Sequence, residues 1–229
     1  MQYNIFVDYG FIFLGLIITL AAQAYMSSSY NKYKKINSKK NLTGFDVAKK
    51  ILEENNLNNI HVVETQGTLT DHYDPTRKVI KLSTDIYHGS SIASISVAAH
   101  ECGHAIQDKD NYNFLRIRSK IIPFVNLCSK LGYIAIMIGF IFNFLNLAAA
   151  GVVLLLAMLV FQLITLPVEF NASKRAKIQL EKLDLIDKKE SKNCTSMLTA
   201  AALTYVASLV TTLLQILRYV AILSNRNRK

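Results

Sequence analysis

The stretch Ala98–Gln107, "AAHECGHAIQ", carries two histidines and a glutamate at a spacing that can do chemistry. His100 and His104 are four residues apart, so on a helix they leave the same face one turn from each other and their ring nitrogens can share one metal ion. Glu101 stands about 100° round the helix from His100. From there a carboxylate reaches a water on the ion but is badly placed to be a ligand itself. That division suits hydrolysis: the ion polarises a carbonyl and acidifies water, while Glu101 takes the water's proton and hands it to a leaving amine. The competing reading is a pair of buried histidines hydrogen-bonded to backbone or carboxylate.

A catalytic zinc site needs three protein ligands and an open position. The metzincin extension of the motif is absent, because Gln107 stands where a glycine is expected and Asp110 where a histidine is typical. Asp110 is therefore one candidate for the third ligand. Glu169, which opens "EFNASKRA", is the stronger one, since the apolar residues between the two motifs form a helical hairpin that leaves and returns on one side. Its bland alternative is a membrane-edge carboxylate paired with Lys174 or Arg175. In "LTDHYDP", His72 is a candidate oxyanion donor or substrate contact, or else a turn histidine between Asp71 and Asp74. Tyr73 either donates to an oxyanion or packs.

The elements that must position these groups follow from pattern. The histidine helix starts after "HGSS" with Ser90 or Ser91 as cap, and Ile92, Ile95, Ala99 and Ile106 make it apolar almost all round, which predicts burial. Before it, "TGFDVAKKILEENNL" predicts a short amphipathic helix, with a cap at Thr43 and Asp46 three residues on, and Val47, Ala48, Ile51 and Leu52 on its apolar stripe. "IHVVE" and "KVIKLS" are strand-like, and "GTLTDHYDPTRK" between them supplies turn residues, so a small hairpin or three-stranded sheet is expected.

The rest of the chain is apolar in long runs. Of 229 residues, 51% are hydrophobic, gathered into Ile5–Met26, Ile121–Phe144, Leu147–Val168 and about Ser196–Leu223, each long enough to cross a hydrocarbon layer of roughly 30 Å. Basic residues follow the first run and do not precede it, which fits a retained helix and not a cleaved signal. The expected organisation is a first transmembrane helix (1–26), a cytosolic region with a β-hairpin and the histidine helix (27–120), a transmembrane hairpin (121–168), a cytosolic segment with the third-ligand helix (169–195) and a fourth hydrophobic helix with a basic tail (196–229). Ser27–Asn41 reads as a tether.

The net charge of +10 belongs to residues that flank these runs, so it points to a cytosolic membrane face and not to nucleic acid. The ending "SNRNRK" pulls the other way, since four crossings place it outside; a re-entrant or interfacial last span is the alternative. Three scattered cysteines, Cys102, Cys128 and Cys194, make no disulfide framework and suit a reducing compartment, with Cys102 a small buried residue. Lys130, Gln162, Gln215 and Arg218 are costly in lipid and are expected to face the helix bundle or snorkel.

The segments "GFDVAKKILEENNL", "GTLTDHYDPTRKVIKLS", "SSIASISVAAHECGHAIQ" and "LPVEFNASKRA", in this order over nearly the whole chain, resemble the bacterial membrane-bound neutral zinc metallopeptidases of the YugP type. The resemblance, extended to the gluzincin group with its CAAX prenyl and heat-shock membrane proteases, implies His100, His104 and Glu169 as zinc ligands and Glu101 as general base. It also implies a mainly α, polytopic helical membrane protein with a small cytosolic α+β metallopeptidase region, acting on protein or peptide substrates. Where CAAX-type proteases have an aspartate four residues after the ligand glutamate, this chain has Ser173, and Asn171 is uncharged too. The partner that should orient a ligating histidine is then sought in Asp71, His72 or Asp74. A zinc-holding scaffold without catalysis is the rival reading, and a solute permease a weaker third.

Overall fold

The structure is a computed structural model describing residues 5–226, with side chains described from Tyr9 onward. Helix α1 spans Ile5–Lys34, α2 Gly44–Glu54, strands β1 His61–Thr65, β2 His72–Asp74 and β3 Val79–Ser83, then α3 Thr84–Tyr87, α4 Ile92–Lys109, α5 Asn113–Ile141, α6 Leu145–Lys182 and α7 Lys188–Arg226. It is mainly α, and four helices, α1, α5, α6 and α7, are long and apolar enough to cross a membrane. The described residues Arg226 and below include only the start of the basic tail; Arg228 and Lys229 lie outside them.

Two compact units share these helices. The first holds the described residues up to Gln23, Ile117–Leu166 and those from Thr204 on. There α5 and α6 meet through small residues: a Cβ at Gly151 would lie 2.7 Å from the Gly132 carbonyl, and one at Gly139 would lie 2.5 Å from the Ala148 nitrogen. Helices in lipid lack a hydrophobic drive toward each other and associate by such close packing and by polar contacts. The polar residues of the spans supply the latter: Thr19 bonds Thr211, Gln162 donates to Ser208, and Tyr133 donates to Gln215. Helix α7 is unbroken over 39 residues, about 58 Å at 1.5 Å per residue, so a re-entrant last segment does not describe it.

The second unit, Ala24–Arg116 with Pro167–Leu203, is built round α4, whose residues Ile92–Ser96, Ala98, Ala99 and Glu101–Gln107 are all buried. Ser91 is its cap, accepting from the Ser94 N–H. Helix α2 starts with a full capping box, Thr43 accepting from Asp46 N–H and Asp46 from Thr43 N–H, and lays Val47, Ala48, Ile51 and Leu52 into the same core. The expected tether is helical over its first eight residues, because Tyr30 and Tyr33 at the end of α1 are 5% exposed and belong to this core. Likewise α6 runs without a break from its apolar part through Glu169 to Lys182, so residue 169 sits within a helix and not on a loop.

The sheet has the order β1-β3-β2, with β1 parallel and β2 antiparallel to β3. Of the two expected arrangements the three-stranded sheet is the one found: the stretch that supplies the turn residues also contains the third strand, and "IHVVE" and "KVIKLS" run parallel and not as a hairpin. Asp74 explains the difference: it accepts from the N–H groups of Thr76 and Arg77, closing a short turn directly after "HYD", and Lys78 takes a positive φ of 51° to return the chain as β3. Three residues are too few to show an alternating pattern. Replacing Thr43 by alanine removes one arm of the capping box and costs about 1 kcal/mol; hydrogen exchange of the α2 amides reads this as a roughly fivefold loss of protection, with α4 amides unaffected.

Candidate metal centre

Helix α4 delivers His100 and His104 together, with ring centroids 4.8 Å apart and planes at 85°. Helix α6 delivers Glu169, 2% exposed, whose Oε2 lies 3.3 Å from His100 Nε2 and 3.6 Å from His104 Nε2. One ligand atom from each residue falls within 4.8 Å of the others, so the three could hold one metal ion. Asp110 is not with them: it ends α4 as the C-cap and pairs with Arg175. That pairing also takes Arg175 away from the role of partner to Glu169.

What lets α6 reach α4 is Gly103. A Cβ there would stand 2.4 Å from the Ala172 carbonyl oxygen and 3.0 Å from its carbon, so the two backbones touch where any other residue would hold them apart. A glutamate has only two methylenes to span from its backbone, and this contact brings it within range. The buried face of α6, Val168, Glu169, Ala172, Ala176 and Leu180, follows helical spacing and places Glu169 and Ser173, four residues apart, on adjoining turns.

The outer ring nitrogens of both histidines are engaged. Ser173 Oγ lies 3.1 Å from His100 Nδ1, and Gln107 Oε1 lies 3.0 Å from His104 Nδ1. These are the orienting partners that were sought in the β2 segment, and they correct that expectation. Asp71 instead accepts from the Ser83 N–H and hydroxyl, and burial raises its carboxyl above the ordinary range. His72 is exposed, with Nδ1 2.8 Å from the Thr70 carbonyl; Asp74 closes the turn. The Tyr73 hydroxyl donates to Asp108, which also takes Lys78. Gln107 was legible by spacing, three residues beyond His104 on the same helix, but a neutral amide carries no signal of its own. Ser173 was visible only as a missing aspartate.

With Nδ1 occupied on each ring, the two Nε2 atoms face a buried carboxylate oxygen, and electron-rich atoms approach so closely only when a proton or a cation lies among them. The donor set fits zinc, which takes imidazole nitrogen and carboxylate oxygen. Ligands at 2.0–2.1 Å from a tetrahedral ion are about 3.3–3.4 Å apart, close to the two nitrogen–oxygen separations here. Three protein donors leave a fourth position open.

Glu101 is beside this centre, 6% exposed. Burial pushes its carboxyl up to about 7; His100 opposes this, Glu169 and Asp71 add to it, and a hydrogen bond from the Tyr73 backbone N–H holds the ionised form. Among the described cysteines, Cys102 in the motif is free and buried, its thiol 3.6 Å from the Ala48 carbonyl, and burial raises its pKa.

Over residues 9–224 the chain matches the family described as "Putative neutral zinc metallopeptidase". The chain belongs to that family. It is also similar to the "Putative membrane protease YugP" of Bacillus subtilis (strain 168), 44% identical over 218 residues that cover 94% of this chain and 97% of that protein. No solved structure matches the chain. Family membership agrees with the donor set found between α4 and α6.

Two substitutions separate the residues that bring the helices together from those that merely lie near. Gly103→Ala forces α4 and α6 apart, an overpacking worth about 1–3 kcal/mol, and is expected to lower zinc retention by about tenfold or more in a chelator competition. Asp110→Asn removes no donor and only loosens Arg175, and is expected to lower retention far less than Gly103→Ala does.

Proposed function

We propose that this chain is an integral membrane zinc-dependent endopeptidase that hydrolyses peptide bonds of protein substrates at or near the cytosolic membrane face. The observation that carries the reading is the convergence of His100, His104 and Glu169 beside a buried fourth group, the Glu101 carboxyl.

His100 and His104 through Nε2, and Glu169 through a carboxylate oxygen, would hold the zinc. When bound, zinc supplies Lewis acidity, which polarises a substrate carbonyl and acidifies water. Glu101 then does the proton work. Its carboxylate removes a proton from the attacking water and delivers it to the departing amine. Burial favours this use, since a carboxyl poised near neutral pH is both a competent base and a competent acid. The nearby Tyr73 backbone N–H favours the ionised carboxylate, and β2, at the edge of the sheet, offers a surface along which an extended peptide can lie.

Three donors, where structural zinc has four protein ligands, favour catalysis over a scaffold role; among the described residues no fourth histidine, cysteine or acid joins the group. Lys and Arg at the helix ends support a cytosolic site. The lipid bilayer and a protein or peptide are the partners this reading requires.

The test uses the full-length protein in detergent. Glu101→Gln is expected to keep zinc and lose about 10²–10⁴-fold in casein hydrolysis, while His104→Ala loses zinc and activity together. Removing zinc with a chelator is expected to abolish hydrolysis, and adding it back to restore it. If Glu101→Gln digests casein as fast as the parent, the reading is wrong.

A further inference from the structure

We propose that Gln107 is a positioning residue that fixes the tautomer of His104 and so keeps Nε2 bare for the metal. The inference rests on the zinc reading above and adds a residue to it. The side chain is fully buried, and each end of its amide meets a different kind of group. Nε2 donates to the Val168 carbonyl at 2.8 Å and to Asn171 Oδ1 at 3.0 Å. A backbone carbonyl can only accept, so the amide nitrogen must face Val168.

Oε1 is thereby turned toward His104 Nδ1 at 3.0 Å. An amide oxygen can only accept, so Nδ1 must carry the proton. In a neutral imidazole the other nitrogen then has the lone pair, and that nitrogen is the one facing Glu169. The direction of one backbone carbonyl on α6 thus determines, through a single glutamine, which ring nitrogen on α4 is available to a cation. Asn171 Oδ1 is held in turn by Arg175 Nε at 2.8 Å, so the glutamine cannot gain by turning over. His100 differs, because Ser173 is a hydroxyl and can either donate or accept at Nδ1. Only His104 has its tautomer imposed.

The same glutamine also straps α4 to α6, and the experiment must tell the two roles apart. Gln107→Met removes both the acceptor and the donors. Gln107→Glu, when ionised, keeps an acceptor for Nδ1 but cannot donate to Val168 or Asn171. Full-length, metal-free protein in detergent, labelled with ¹⁵N in its histidine rings, reports the tautomer at a pH where the rings are neutral; zinc affinity follows from chelator competition. The parent is expected to show a bare Nε2 at His104. Gln107→Met is expected to shift His104 toward the Nε2–H form and to weaken zinc binding by about 10–100-fold. Gln107→Glu is expected to keep the bare Nε2 and to bind zinc within about threefold of the parent, well inside the range lost with an orienting partner.

The proposal is overturned if Gln107→Met leaves the tautomer as in the parent, or if both variants weaken zinc equally with the tautomer unmoved, which is the result a strap alone gives. Should Gln107→Met fail to fold, the comparison of parent and Gln107→Glu decides: loss of the bare Nε2 and of affinity in the latter overturns it, and retention of both supports it. A parent that takes up no zinc defeats the metal reading, and the ring spectra of the metal-free protein still decide the role of Gln107.

Discussion

The candidate site depends on the backbone of α4 touching the backbone of α6 at Gly103 and Ala172. Helices packed through ordinary side chains keep their axes 8–10 Å apart, and a glutamate on one then reaches only the near surface of the other. With nothing but hydrogen at residue 103, the helices come close enough for the Glu169 carboxylate to meet Nε2 of both histidines. Burial follows from the same contact. His104, Glu101 and Glu169 are each less than a tenth exposed, and it is exclusion from water that raises the Glu101 carboxyl toward neutrality. One missing Cβ thus links close packing, the meeting of donors from distant parts of the chain, and the proton affinity of the group beside them.

Bringing polar groups into so dry a place is unfavourable unless each has a partner, and the structure supplies partners from the same two helices and from strand β2. Gln107 uses both ends of its amide, Ser173 meets His100, and the Tyr73 N–H from the edge strand meets Glu101. The three inner donor atoms are a different case: the Glu169 oxygen and, with its tautomer set by Gln107, His104 Nε2 carry lone pairs, and His100 Nε2 faces the same carboxylate oxygen. A divalent cation would make their approach favourable, and imidazole nitrogen with carboxylate oxygen is a donor set that zinc takes.

Much of this was legible in the sequence because it is local. The spacing of His100 and His104 needs only the helical period, the caps at Thr43 and Ser91 need only a short polar side chain before an apolar run, and the four long helices need only length and hydropathy. Glu169 was reachable by a topological argument, since two apolar runs joined by a short link must return the chain to the side it left. The parts that were not legible depend on backbone direction. No pattern shows that β1 and β3 run parallel, because that follows from a three-residue strand closed by Asp74. Nor does a pattern show that Gln107 meets Val168 across 61 residues. Gly103 occupies a position that the zinc motif leaves free, so its meaning appears only once Ala172 is seen against it.

The basic end of α7 illustrates how a charge rule and a contact can divide the same residues. Counted with the tail, Arg226 argues against the side of the membrane to which four crossings assign it. In the structure its guanidinium donates to the Phe140 carbonyl at 3.1 Å and lies 5.1 Å from the centre of the Phe140 ring. Phe140 stands at the end of α5, beside the turn that leads into α6. An arginine that satisfies one of the last carbonyls of a neighbouring helix offsets the negative end of that helix's dipole, and its location is set by that contact and not by the charge of a membrane face. The Lys and Arg excess that orients a chain is a rule about loops, and Arg226 at the end of an unbroken helix, anchored on α5, is better read as part of the packing within the bundle.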